Sequence, residues 1–82
     1  MIRLVSVEPA WTTAVDTLLQ LRFLPFPEST RTRVQHYYEA DCGILATLLG
    51  RSIEDVEREV RQRADRQGTP EWAMTYRNEE AP

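Results

Sequence analysis

The chain has 82 residues, 41% hydrophobic and 28% charged, with a formal net charge of −3. That is enough apolar content for one small core and too short a chain for a second. The acidic balance exerts no global pull on nucleic acid, and a single cysteine, Cys42, excludes an internal disulfide and fits a reducing, cytoplasmic setting.

Residues 2–7 (IRLVSV) alternate enough to predict a short strand or extended arm. Ser6, Glu8 and Pro9 interrupt its apolar run, so it does not read as a signal peptide. No stretch approaches the roughly twenty apolar residues of a membrane span, so no membrane partner is expected. Pro9 suits a helix start, and Trp11, Val15, Leu18, Leu19 and Phe23 carry helical spacing to Leu24, with Leu21 widening the apolar face. Pro25-Phe26-Pro27 ends that helix, because proline cannot continue the hydrogen-bond ladder. A second helix is predicted over 31–40, with Val34, Tyr37 and Tyr38 on one side. The tyrosines are adjacent, so one of them reaches the surface.

Asp41 then serves as the expected cap of a third helix, in which Ile44, Leu45, Leu48 and Leu49 form the apolar face. Gly50 supplies the positive φ that suits a helix C-terminus, and Ser52 caps a fourth helix with Asp55 three residues on. Ile53, Val56, Val60 and Ala64 recur at steps of three and four, the spacing of one buried stripe. After Gly68 a turn at Thr69-Pro70-Glu71 leads into residues 72–76, too apolar for a free tail. They are expected to pack back with Trp72 in the core, followed by a disordered tail over 78–82. The expected fold class is therefore all-α: a single small domain of about four helices, with a helix-turn-helix over 41–67 and short extended termini.

The Leu48-Leu49-Gly50-Arg51-Ser52 turn followed by Val56 resembles the helix-turn-helix of Myb/SANT-like domains and their small bacterial and phage relatives. Trp11-Thr12, Asp16 and Leu19 keep the spacing that opens the first helix of that family, and Ala46, Leu49, Gly50, Arg51, Ser52 and Val56 match its second and third. The resemblance covers residues 11–66. It implies a small DNA-binding regulator whose last helix enters the major groove of double-stranded DNA. Arg31, Arg33 and Arg51 would contact phosphates, and Arg58, Arg61 and Gln62 would reach base edges.

Charge placement opens a rival reading. Residues 29–68 hold seven Arg and seven acids, so the predicted helix-turn-helix region is neutral and not basic. Glu54, Glu57 and Glu59 each stand four residues before Arg58, Arg61 and Arg63, the favoured orientation for ion pairs within a helix. Arginines so paired would be withheld from phosphate. The alternative is a protein-binding module, or a phage-type inhibitor of a host protein, that keeps the fold and contacts its partner through Tyr37, Tyr38, Glu54 and Glu57.

Asp41-Cys42-Gly43, with Gln35 upstream, looks like the nucleophile region of papain-like peptidases. The only histidine, His36, precedes the cysteine, and no imidazole follows it to act as base. One histidine and one cysteine do not make a zinc site. No enzyme activity, metal or cofactor is expected.

Overall fold

The computed structural model describes residues 6–74, and these are all-α: three long helices and one short helical segment at 71–74, with no strand among the described residues. Of the strand predicted over 2–7, residues 2–5 lie outside the described residues and Ser6 and Val7 are not in a strand; the predicted tail, 78–82, also lies outside them.

Helix α1, Glu8–Phe23, begins as its proline suggests, with Pro9 in the first turn where a missing N–H costs nothing. Trp11, Ala14, Val15, Leu19 and Leu21 are buried, while Leu18 and Phe23 pack at the rim. Leu24 ends the helix in extended conformation, and the Arg31 guanidinium donates to the carbonyls of Leu21 (2.8 Å) and Leu24 (3.4 Å). A cation on carbonyls left open at a helix C-terminus is favourable both as a hydrogen bond and toward the helix dipole.

Helix α2, Glu28–Leu49, corrects the expected division at Asp41. The two helices predicted over 31–40 and 41–49 are one helix of 22 residues, and Asp41 caps nothing; it sits half-buried in mid-helix. Interior aspartate costs only tenths of a kcal/mol in helix propensity. Continuous burial of Tyr38, Cys42, Leu45 and Ala46 along one side outweighs it. The inward face also differs from the one expected. Leu45 is fully buried, but Ile44 and Leu48 are 55% and 60% exposed and belong to a neighbouring side of the helix.

The turn into α3 (Ile53–Gln67) follows the prediction closely. Gly50 has φ +64°, and the Ser52 hydroxyl accepts from the Asp55 N–H at 3.1 Å. Val56, Val60 and Ala64 are buried as one stripe, but Ile53 at the head of the helix is half-exposed and not part of it. All three helices pack on one another around a core in which Leu19, Cys42, Leu45, Val56 and Val60 are the largest fully buried side chains. The segment at 71–74 returns to α1. Ala73 is buried, whereas Trp72, expected in the core, is 41% exposed and shares a groove of about 270 Å³ with Asp16, Gln20 and Leu24.

Candidate functional site

The first candidate surface is the outward side of α3. Arg51 is turned inward: it donates to Glu59 at 2.7 Å and to the Asp55 carbonyl at 3.4 Å. Arg63 donates to the other Glu59 oxygen, stacks over the Trp11 ring at 4.3 Å, and approaches Glu8 at 3.5 Å. Trp11, Glu59 and the two arginines thus form one partly buried cluster that fastens α3 and the turn to α1. Hydrogen bonds from Arg51 and then Arg63 hold the Glu59 carboxyl below its ordinary range despite some desolvation.

Of the three ion pairs predicted within α3, only Glu59–Arg63 forms. Arg58 pairs with Asp55 at 3.1 Å and not with Glu54, and Arg61 pairs with no carboxylate among the described residues. The six arginine and glutamine positions expected to face DNA therefore divide. Arg31 is engaged at the end of α1, Arg51 in the Trp11 cluster, and Arg58 with Asp55. Arg33, Arg61 and Gln62 are exposed and make no ion pair or hydrogen bond among the described residues. Glu54 lies exposed on the same helix as Arg61, and Glu57 is half-buried there, so the face carries both signs.

The second candidate is the Tyr38–Cys42 pair. Cys42 is fully buried and burial raises its thiol pKa, the reverse of what a nucleophile needs. His36 is exposed one turn and more away, on a different side of the helix. The Tyr38 hydroxyl is buried without a hydrogen-bond partner, and desolvation holds its proton on well beyond the ordinary phenol range. Tyr38 is only 5% exposed, so it presents no ring to a partner; its neighbour Tyr37, 59% exposed, is the one that reaches the surface. Among the described residues no cluster of His, Cys, Asp or Glu could hold a metal, and no helix is long and apolar enough to cross a membrane.

The third surface includes Tyr37, which the sequence reading offered to a partner, together with Ile44 and Leu48, which that reading had assigned to the buried face. On α2, Thr30, Tyr37 and Ile44 recur at intervals of seven, with Arg33, Ala40 and Thr47 between them and Leu48 closing the row. This row lies roughly 100° around the helix from the core row of Tyr38, Cys42, Leu45 and Leu49, at 3.6 residues per turn. Ala40, Gly43, Ile44, Thr47 and Leu48 line an open groove of about 380 Å³ on it. Ile53 adds a further exposed apolar side chain just past the turn. The signal was present in the sequence as a second apolar row on one helix. Compared with known proteins, the chain matches no family model, no curated protein and no solved structure.

Proposed function

We propose that this chain is a protein-binding module, built on a helix-turn-helix scaffold of the Myb/SANT-like kind, whose contact surface is the outer face of α2. One observation carries the reading. Tyr37, Ile44 and Leu48 stand more than half exposed in a single row, on a helix whose other apolar row already fills the core. Exposed apolar side chains scattered singly need no explanation, but a contiguous row of them on a small domain marks a contact surface. Support also comes from α3, where Arg51 and Arg58 are spent on internal carboxylates and Glu54 would face any phosphate that approached.

A second reading, DNA binding through α3, draws support from the Gly50–Ser52 turn and from Arg61 and Gln62, which are exposed and uncommitted. Titration against labelled duplex at low and high salt separates the two. The protein-binding reading expects no duplex binding at low salt, for wild type and for Glu54→Gln and Glu57→Gln. Salt-dependent binding that those glutamine variants strengthen and Arg61→Ala weakens would overturn it. The same reading expects Ile44→Glu and Leu48→Glu to melt like wild type in dilute solution. A large loss of melting temperature would show that this face belongs to the core.

A further inference from the structure

Asp16, Gln20 and Leu24 stand at steps of four along the second half of α1, so they form one row. Trp72, 41% exposed on the returning segment, closes a groove of about 270 Å³ with them. That volume lies below the range of cofactor sites and suits one long side chain. A carboxylate, a side-chain amide, an indole ring and an apolar side chain line it, and no cation does. Among the described residues the Asp16 carboxylate and the Gln20 side-chain amide have no hydrogen bond or ion pair. The two arginines nearest in the chain are held elsewhere: Arg22 by Asp65 at 2.9 Å, and Arg31 by the carbonyls of Leu21 and Leu24.

We infer that this groove takes the guanidinium of an arginine carried on an exposed segment of a partner protein. The same molecule shows how such groups meet. At the Trp11 cluster, Arg63 lies over the ring at 4.3 Å while it donates to Glu59 at 2.8 Å. The Trp72 groove presents the ring and the carboxylate of that arrangement without the cation. An anion would be repelled by Asp16. A purely apolar side chain would cover Asp16 and Gln20 and leave them without hydrogen bonds, which is costly. A guanidinium answers every lining group: its plane stacks on the indole, its N–H fork donates to the carboxylate and the amide oxygen, and its alkyl stem lies on Leu24. Arg31 already occupies the Leu24 carbonyl, so the incoming charge belongs at the Asp16 end. The inference goes beyond the α2 reading and does not depend on it, because no α2 residue lines the groove.

Two-dimensional NMR of the full chain follows the indole N–H of each tryptophan, with the Trp72 signal identified by its loss in Trp72→Phe. The probe is Nα-acetyl-arginine amide, blocked at both ends as within a chain and titrated against matched sodium chloride. One side-chain contact binds weakly, so the titration runs to roughly tens of millimolar. The expected result is a saturable shift of the Trp72 signal with the buried Trp11 signal unmoved. Asp16→Asn, checked by circular dichroism for an intact fold, should weaken binding by roughly two- to fivefold. The neutral isostere acetyl-citrulline amide should give no shift, and acetyl-lysine amide should bind less tightly. No shift with the arginine probe overturns the inference, as does equal binding of the citrulline or lysine probe, or affinity indifferent to Asp16→Asn. Tighter binding of free arginine would assign the groove to a small molecule and overturn the protein-borne occupant. Binding seen only after Arg77→Ala would assign it to the chain's own arginine, with the same consequence. Ile44→Glu and Leu48→Glu should leave this titration unchanged, so its failure and the failure of the α2 reading are separate results.

Discussion

Leu45 and Leu48 lie one turn apart on α2 and offer a controlled comparison. Leu45 is fully buried against the α1 and α3 contacts, and Leu48 is 60% exposed. Truncating Leu45 to alanine removes three buried carbons, about 2.4 kcal/mol at ~0.8 kcal/mol for each. The cavity left behind raises that to roughly 3–4 kcal/mol, since a core this tightly shared relaxes only in part. A domain of this size has about 4–12 kcal/mol in total at about 0.05–0.15 kcal/mol per residue, so Leu45→Ala removes a large share. At about 4–8 °C per kcal/mol, the melting temperature should drop by roughly 12–32 °C. Leu48→Ala leaves no cavity and loses only partial burial, under about 1 kcal/mol, with alanine's helix propensity offsetting a little of it. Urea titration followed by far-ultraviolet circular dichroism measures both. Equal costs for the two leucines would refute the assignment of inner and outer rows.

Other expectations follow from single groups. Tyr38→Phe removes a buried hydroxyl without a partner, so it should be neutral or stabilising by up to about 1 kcal/mol, read as a raised urea midpoint. Ser52→Ala should cost about 1 kcal/mol by leaving the Asp55 N–H without its cap, whereas Ser52→Asp should retain most of that in the same titration. The Glu59 carboxyl is held below its ordinary range by Arg51 and Arg63, so it remains charged in the fold at pH values where the unfolded chain takes up a proton. Its contribution is complete above the ordinary carboxylate range and is lost as pH falls from about 5 through 4 and below. Stability measured across that window should therefore fall, and Glu59→Gln should fall less steeply; parallel slopes would dissociate Glu59 from the acid limb.

Local signals in the chain were reliable where one residue has one physical role. Pro9, Pro25 and Pro27 bound α1, Gly50 takes the left-handed conformation, and Ser52 caps α3, because each effect is settled within a few residues. Asp41 misled because a capping residue is a signal only if the helix before it ends. The stretch from Glu28 to Leu49 contains no proline, and its one glycine, Gly43, lies within the continuous helix. Choosing between the two apolar rows of α2 lay beyond local reading. Periodicity finds a row but does not say which of two rows on one helix meets α1 and α3, and that choice is made by Trp11, Leu19, Val56 and Val60 on other elements. The same holds for the cations. Spacing within α3 gave Glu59–Arg63 correctly, but it suggested Glu54 for Arg58 and Glu57 for Arg61; Arg58 takes Asp55 instead, and Arg51 reaches the same Glu59 from the turn before the helix.

The two tryptophans occupy opposite environments. Trp11 is 3% exposed beneath the Arg63 guanidinium, and Trp72 is 41% exposed on the short segment that returns to α1. Their emission therefore reports two different processes. Light from Trp11 shifts only when the helices separate, while light from Trp72 also follows any detachment of its segment that leaves the core intact. With Trp72→Phe the chain becomes a single-fluorophore instrument for global unfolding. The difference between its denaturation curve and that of the parent isolates the free energy with which residues 71–74 hold to α1.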